Sequence, residues 1–432
     1  MMGDSSAGQK NYSDYKYSGE GWLGHIPNHW EVMKLKQLFF EKRHTQNLSL
    51  NCGAISFGRV IMKDDEKIPL STKASYQEVL NGEFLVNPLN LNYDLLSLRI
   101  ALSRINVVVS AGYIVLKAIK DVNKEYFNYL LHRFDVAYMK LLGSGVRQTI
   151  NFNHIANSLL LLPPREEQTA IANYLDQKTT QIDEAIAIKQ KQIELLKERK
   201  QILIQKAVTQ GLDPNVPKRE SGVDWIGQVP EHWETIRFKN IFSQSRLPVR
   251  SGDGVVTSYR DGEVTLRSNR RLSGYTEAII EGGYQGIRSG QLVLNSMDAF
   301  EGAIGVSDSD GKCTPEYVIC DPKSSEISQY YFAYLLREMA LAKYIQVICN
   351  AVRQRAVRIR FNNLASRFVV LPPRKEQDKI VSYIETESKK VDNGISLLVL
   401  QIEKLKEYKT TLINSAVTGK IKVPGVVEPG EA

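Results

Sequence analysis

The chain has 432 residues and a net charge of +8, 43% of its residues are hydrophobic, and its 56 Lys and Arg outnumber its 48 Asp and Glu. At roughly 100–200 residues per domain, this length suggests about two to four domains. The composition excludes a wholly disordered chain. No apolar run approaches the ~18 residues that a membrane-spanning helix needs, so we expect no membrane partner.

Residues 1–20 are polar and lack the apolar stretch of a signal peptide. We therefore expect a loose leader on a cytoplasmic protein. The four cysteines form no CxxC pair and have no histidine at metal-ligand spacing. This pattern excludes a structural zinc site, and we expect no metal in the chain.

From residue 21 onward, one sequence unit occurs twice. Trp-Leu-Gly-His-Ile-Pro-Asn-His-Trp at 22–30 returns as Trp-Ile-Gly-Gln-Val-Pro-Glu-His-Trp at 225–233. Leu-Pro-Pro-Arg-Glu-Glu-Gln at 162–168 returns as Leu-Pro-Pro-Arg-Lys-Glu-Gln at 371–377, and Ala-Val-Thr at 207–209 returns at 416–418. The period of about 205 residues is far longer than a solenoid repeat. The chain is therefore a duplicated unit.

Each unit begins with a globule and ends with a long helix. Short β-rich runs, glycine-rich turns and one helix predict an α+β fold for each globule. A Pro-Pro pair followed by acidic residues starts each long helix, because proline suits the first turn and acidic side chains suit the helix dipole. We divide the chain into a leader (1–20), a first globule (21–162), a first helix (163–211), a linker with the start of the second repeat (212–233), a second globule (234–371), a second helix (372–420) and a tail (421–432).

Both long helices carry apolar residues at heptad spacing. Two such seams on equivalent helices predict that the helices pair as a coiled coil. The alternative is that each apolar stripe packs only on its own globule. The residues that we expect to pair are Leu175, Ile182, Ile186, Ile193, Leu196 and Leu203 in the first helix, and Val391, Ile395, Leu398, Ile402, Leu405 and Leu412 in the second.

The sequence contains no recognisable catalytic motif. It has no GxxxxGK[ST] phosphate loop, no GxGxxG after a strand, no Asn/Asp-Pro-Pro-aromatic tetrapeptide and no HExxH. The histidines and carboxylates form no acid–base or metal-ligand pattern. We predict no catalytic residue and no cofactor in this chain, and therefore a binding protein.

The globules carry the positive charge. Residues 31–160 contain 16 Lys and Arg against 11 Asp and Glu, and residues 234–368 contain 18 against 14. Arginine suits bidentate recognition of phosphate and guanine. Arginines cluster at 267–271 and at 353–360, where a solvated charged edge is the alternative to a DNA-binding surface. The surrounding Tyr, Asn and Gln favour DNA.

The two repeats separate two kinds of candidate. Residues that match, such as Asn87 and Asn295, either hold the fold or grip the sequence-independent phosphate backbone. Residues that differ, mainly in 43–77 and 246–288, can contact different bases. The candidate DNA-binding residues are Arg43, Asn47, Arg59, Lys63, Lys73, Asn87, Asn90, Asn92, Arg99, Arg104, Arg147 and Gln148 in the first globule, and Arg246, Arg250, Arg260, Arg267, Asn269, Arg270, Arg271, Asn295, Arg353, Gln354, Arg355, Arg358 and Arg360 in the second.

The paired Trp…His-Trp motif, the paired Leu-Pro-Pro-x-x-Glu-Gln and the Ala-Val-Thr helix ending span nearly residues 20–420 in a fixed order. Because it contains these motifs in this order, the chain resembles the specificity subunit of type I restriction–modification systems. The resemblance implies two α+β target recognition domains, each of which contacts one half of a bipartite, gapped DNA site. It also implies that the two long helices form an antiparallel coiled coil that sets the gap.

The resemblance further implies the partners of the chain. These are double-stranded DNA, two methyltransferase (modification) subunits that dock on the helices, and restriction (motor and nuclease) subunits. S-adenosylmethionine, ATP and Mg²⁺ would be used by those subunits and not by this chain. The alternative from another class of protein is a non-enzymatic coiled-coil adaptor that binds proteins and not DNA.

Overall fold

The computed structural model describes residues 11–90, 98–139, 148–270, 283–349 and 358–430, without the side chains of residues 67, 90, 148 and 149. It has two compact units: unit 1 comprises Met1–Lys189 with Leu400–Ala432, and unit 2 comprises Gln190–Val399. Both boundaries fall inside the long helices. Each unit therefore contains one globule, one half of its own long helix and one half of the helix of the other repeat.

Unit 1 contains the first globule. Its elements in chain order are β1 (Tyr15–Tyr17), β2 (His25–Pro27), β3 (Glu31–Lys34), α1 (Leu35–Leu38), β4 (Phe39–Glu41), β5 (Gly53–Ser56), β6 (Arg59–Met62), α2 (Leu70–Lys73), β7 (Gln77–Val79), β8 (Phe84–Val86), β9 (Leu89–Asn90), β10 (Ile100–Leu102), β11 (Val107–Val109), β12 (Ile114–Ala118), α3 (Lys124–Ala137), β13 (Gln148–Thr149), α4 (Phe152–Ala156) and β14 (Leu159–Leu162), followed by the long helix α5 (Arg165–Gln210).

Unit 2 contains the second globule. Its elements are β15 (Lys218–Glu220), β16 (Gln228–Pro230), β17 (Glu234–Arg237), α6 (Phe238–Ile241), β18 (Phe242–Gln244), β19 (Val256–Ser258), β20 (Val264–Leu266), α7 (Arg267–Arg270), β21 (Gln285–Ile287), β22 (Leu292–Asn295), β23 (Ile304–Val306), β24 (Gly311–Cys313), β25 (Tyr317–Pro322), α8 (Gln329–Leu341), α9 (Tyr344–Ile348), α10 (Phe361–Ala365) and β26 (Phe368–Leu371), followed by the long helix α11 (Arg374–Val417).

The same antiparallel central sheet is built in both units. The strand order is β10-β8-β12-β4 in unit 1 and β23-β22-β25-β18 in unit 2. In β8, Phe84 and Val86 enter the main core, while Leu85 enters a smaller core on the other face. Strand β22 alternates in the same way between its two cores. Each sheet is thus covered on both faces, which explains the continuous apolar runs. The predicted α+β class is confirmed.

Each long helix begins after its Pro-Pro pair and is tied to its own globule. Leu175 of α5 lies in the core of unit 1, and Ile384 of α11 lies in the core of unit 2. Helix α11 ends at Val417, two residues before Gly419, whose φ of +71° favours glycine and where a Cβ would collide with Pro27. The first half of each helix therefore packs on the globule that precedes it.

The helices also pair with each other, and they run antiparallel. In unit 1, Lys409 Nζ lies 2.6 Å from a carboxylate oxygen of Asp183, and Lys189 donates to Gln401 over 2.6 Å. In unit 2, Lys200 pairs with Asp392 over 2.7 Å. The residues predicted to pair are buried or half-buried throughout. The predicted coiled coil is confirmed, and packing on the globules adds to it.

The expectation of a loose leader is wrong for residues 11–20. Tyr12 is buried, and β1 pairs with β2 just as β15 pairs with β16 in the second repeat. The tail closes over the same region: Glu428 accepts hydrogen bonds from Ser13 N (3.1 Å) and Ser13 Oγ (2.5 Å). The hairpin β1–β2 of unit 1 therefore corresponds to the hairpin β15–β16 of unit 2. In unit 1 the leader contributes to this hairpin and the tail contacts Ser13, just before it, whereas in unit 2 the hairpin belongs to one continuous linker.

Within the described ranges, no helix is both long enough and apolar enough to cross a membrane. The four cysteines are unpaired, and three of them are buried. In the same ranges, no three His, Cys, Asp or Glu side chains lie together in a way that could hold a metal ion.

Candidate nucleic-acid interface

The repeated His-Trp motif anchors the start of each long helix. Glu167, in the first turn of α5, accepts a hydrogen bond from Trp30 Nε1 over 2.9 Å, and its other carboxylate oxygen lies 2.5 Å from His29 Nε2. In the second repeat, Glu376 accepts from Trp233 Nε1 over 2.8 Å and lies 2.7 Å from His232. A carboxylate that is held in this way fixes the start of the helix on the globule.

Gln168 and Gln377, which follow these glutamates, also make the same contacts in both repeats. Gln168 donates to the carbonyl of Pro163 over 2.8 Å and accepts from Asn123 N, at the start of α3, over 2.8 Å. Gln377 makes the same pair of bonds, to the carbonyl of Pro372 and from Ser328 N, each over 2.8 Å. The two motifs that define the repeat therefore build the joint between globule and helix.

Asn87 and Asn295 also serve the fold. Asn87 Oδ1 accepts from Leu89 N over 3.0 Å, and Asn295 Oδ1 accepts from Met297 N over 3.2 Å. Both are Asx turns that end an equivalent strand. Of the two roles left open by the sequence, the structure shows the fold role, and the phosphate contact stays a prediction.

Other predicted DNA-binding residues also have partners within the globules. Arg99 is only 5% exposed, and its Nε donates to Asp135 over 2.9 Å inside the core, so it is placed to hold β10 against α3 and not to contact DNA. The polar side chains with such partners are Lys73 with Asp65 (2.7 Å), Asn47 with Glu78 (2.9 Å), Arg267 with Thr257 (3.2 Å) and Asn269 with Thr265 (2.8 Å).

Several predicted arginines are exposed but form surface ion pairs. These pairs are Arg104 with Glu125 (2.7 Å), Arg250 with Asp310 (3.4 Å), Arg260 with Asp298 (3.1 Å) and Glu301, Arg270 with Asp261 and Glu263 (2.9 Å each), and Arg358 with Glu316 (3.6 Å). Exposed pairs of this kind contribute only ~0–1 kcal/mol. A phosphate group could displace the carboxylates at little cost.

A smaller set is exposed and forms no ion pair with any residue in the described parts of the chain. Its members are Arg43, Arg59, Lys63, Arg246 and Arg360. Arg59 begins β6 and Lys63 follows it, whereas Arg43 follows β4 and Arg246 follows β18 in unit 2. These side chains are the best placed to contact phosphates, because no carboxylate competes with the DNA.

Six predicted residues lie outside the described residues: Asn92, Arg147, Arg271, Arg353, Gln354 and Arg355. Asn90 and Gln148 are paired through their backbones in β9 and β13. Their roles stay predictions.

Sequence reasoning missed two features of unit 1. Phe57 lies at the tip of the β5–β6 hairpin with a positive φ, and its side chain is exposed. A cavity of about 790 Å³ lies beside this hairpin, with Arg59, Glu125 and His132 among its lining residues. The signal for the hairpin was Phe57-Gly58 between two runs of β-forming residues; the cavity depends on tertiary packing and left no signal.

The chain is similar to known proteins along most of its length. Residues 27–198 match the family model of the type I restriction modification DNA specificity domain. A putative type I restriction enzyme MjaX specificity subunit of Methanocaldococcus jannaschii is 25% identical over 93% of this chain and 96% of its own length. The EcoBI specificity subunit of Escherichia coli is 24% identical over 63% of this chain and 62% of its own.

Two solved structures share the fold. One is a chain from a structural study of complex assembly and conformational transition of the type I R-M system, with a TM-score of 0.66, 15% identity, and coverage of 91% of this chain and 98% of that one. The other is the HsdS subunit from Thermoanaerobacter tengcongensis, with a TM-score of 0.54, 16% identity, and coverage of 92% and 98%. Residues 27–198 of this chain thus match the type I restriction modification DNA specificity domain, and most of the chain is similar in sequence to a type I specificity subunit and shares the fold of these two solved structures.

Proposed function

We propose that the chain is the DNA sequence-specificity subunit of a type I restriction–modification complex. The globules at 21–162 and 234–371 are its target recognition domains, and each contacts one half of a bipartite, gapped site. One observation carries this proposal: the joint between globule and helix is the same in both repeats, whereas the surfaces of the two globules differ. The bonds of Glu167 and Gln168 recur at Glu376 and Gln377, whereas the hairpins β5–β6 and β19–β20 present different side chains.

The long helices are the proposed docking site for the methyltransferase subunits. Apolar side chains outside the paired seam stay exposed: Ile188 and Leu397 are each 61% exposed, and Leu195 is 52% exposed. Exposed apolar groups on an otherwise charged helix surface favour burial by a protein partner. The comparisons give no support to a free-standing adaptor that ignores DNA.

Chemistry is assigned to the partners. We propose that this chain is non-catalytic, and that modification subunits use S-adenosylmethionine while restriction subunits use ATP and Mg²⁺. The role of the chain is then to position the DNA, in the cytoplasm, for the catalytic groups of the partner subunits.

The unpaired cations give the direct test. Arg59→Ala and Arg246→Ala should each weaken DNA binding by the complex with its methyltransferase subunits. If each arginine contacts one phosphate, the slope of log K against log salt should become shallower by about 0.9, because one fewer counterion is released. The measurement is a binding titration across salt concentrations.

The matched control removes one positive charge from a helix. Lys404, on α11, is exposed and pairs with Glu407 over 2.7 Å; Lys404→Ala should leave the slope unchanged in complexes that retain their methyltransferase subunits. Binding of the wild-type complex that does not weaken with salt would contradict the proposed DNA-binding function.

A further inference from the structure

The hairpin between β5 and β6 breaks the usual rule for its turn. Ser56 pairs with Arg59, so Phe57 and Gly58 are the two central residues, and their φ angles are +47° and +70°. Positive φ at both positions is the signature of a type I′ turn, which strongly prefers Asn-Gly. Glycine fits the second position, but phenylalanine at the first is an outlier.

Nothing in the packing of the described residues compensates for this conformation. Phe57 is 88% exposed, the highest exposure among the large hydrophobic side chains that are exposed in the described ranges. The positive φ of Phe57 is an unfavourable backbone conformation. The exposure of its apolar ring to water is also unfavourable. Such a combination points to a contact that the isolated chain does not make.

The tip of the hairpin is nevertheless held in place. A Cβ on Gly58 would lie 2.7 Å from Leu98 Cδ1 and 3.3 Å from His132 Cε1, so the backbone sits directly on side chains of the globule. The Phe57 ring is therefore presented from a fixed support. Rigid presentation lowers the entropy cost of binding a partner.

The charges around the ring fit a nucleic acid. Arg59 and Lys63, on and just after β6, are exposed and have no carboxylate partner in the described part of the chain. Met62, between them, is 56% exposed. Apolar residues that insert at base steps, with cations on the adjacent phosphates, are a known way for proteins to hold DNA.

We propose that Phe57 contacts bases in the first recognition domain. Its ring stacks on, or wedges between, bases of one half-site, while Arg59 and Lys63 contact the neighbouring phosphates. This inference rests on the proposed function and deepens it, because it assigns the base contact to one side chain of domain 1.

The test uses a substitution that should separate binding from stability. Phe57→Asn creates the Asn-Gly pair that a type I′ turn prefers, so the melting temperature should stay the same or rise. Binding of the cognate site by the complex should weaken by roughly 5- to 150-fold, which corresponds to the ~1–3 kcal/mol of one stacked base. Phe57→Tyr keeps an aromatic ring and should retain wild-type affinity.

A fluorescent base reports the stacking itself. With 2-aminopurine placed in turn at each step of the half-site other than the adenine that is methylated, which the methyltransferase would flip out of the helix, the wild-type complex should change the fluorescence at one step, and Phe57→Asn should abolish that change. Ile119→Asn removes another exposed apolar residue of unit 1, 54% exposed, and should leave both measurements unchanged.

Three results would overturn the inference. One is wild-type affinity and fluorescence in Phe57→Asn. Another is an affinity loss that Phe57→Tyr does not restore. The third is weakened assembly with the methyltransferase subunits, which would make Phe57 a protein contact. Failure of the wild-type complex to prefer any DNA sequence would instead contradict the proposed function as a whole.

Discussion

Single residues show what a sequence with an internal repeat can and cannot assign. The matching Asn87 and Asn295 were open to two readings, fold or phosphate contact, because both roles would be repeated. The two Asx turns show that both residues serve the fold, and the phosphate contact stays a prediction. Arg99 was predicted to contact DNA because no sequence pattern shows that Asp135 faces it across the core. Phe57 was missed because a single aromatic residue looks like core.

His132 makes a prediction at this scale. Burial lowers its pKa to about 4, and Nε2 has no hydrogen-bond partner within the described residues. The unfolded histidine has a pKa of ~6.5. Between these values the unfolded chain binds a proton that the folded chain does not, so the free energy of unfolding should fall as pH drops from 7 towards 4, by up to ~3 kcal/mol.

The variant His132→Asn should flatten that dependence, because asparagine does not titrate and can still donate to the backbone of Ile100. Denaturant unfolding at pH 7 and pH 5 measures the difference. His44→Asn removes an exposed histidine of the same unit and should keep the wild-type dependence. If His132→Asn loses as much stability as the wild type over this range, His132 is not the group responsible.

At the scale of elements, the helices were the most predictable part of the chain. Pro-Pro starts, heptad spacing and glycine ends depend on local chemistry, and the observed α5 and α11 lie within 163–211 and 372–420. The lysines that interrupt the apolar pattern were harder to interpret. Lys189, Lys200 and Lys409 all bond across the helix pair, so they fix its register. The short strands were less predictable, because their pairing is non-local.

The helices also make a prediction about the gap in the DNA site. The ion pairs place Leu196 of α5 beside Gly394 of α11, and a Cβ on Gly394 would lie 3.9 Å from Leu196 Cδ1. Four residues inserted after Leu196 and four after Ile395 should lengthen both helices by ~6 Å and rotate them by ~40°. A base pair adds ~3.4 Å and ~35°.

We therefore expect the gap to grow by one or two base pairs while both half-sites stay the same. The methylated sequence in cells reports both quantities. Insertion into α5 alone is the control, because it breaks the register and should lower modification at every site. A double insertion that altered a half-site would show that the helices do not set the gap alone.

At the scale of the whole molecule, the sequence predicted a duplicated protein, but residues 1–20 and 421–432 were assigned to a leader and a tail outside the repeated unit. Ser18-Gly19 repeats as Ser221-Gly222, and this was the available signal that the leader belongs to the first repeat. The tail gave no such signal, because its contact with Ser13 joins residues at opposite ends of the chain. The burial of Tyr12 and the strand β1 are therefore findings of the structure.

The central claim is that this chain alone determines which DNA sequence its complex modifies. Genome-wide mapping of N6-methyladenine tests it in cells that carry the chain, lack it, or carry a version with residues 21–162 exchanged for those of a relative. We predict a bipartite, gapped motif that disappears without the chain, and an exchange that changes one half-site and leaves the other half-site and the gap intact. A methylated motif that persists unchanged without the chain, or an exchange that alters only the gap, would contradict the account.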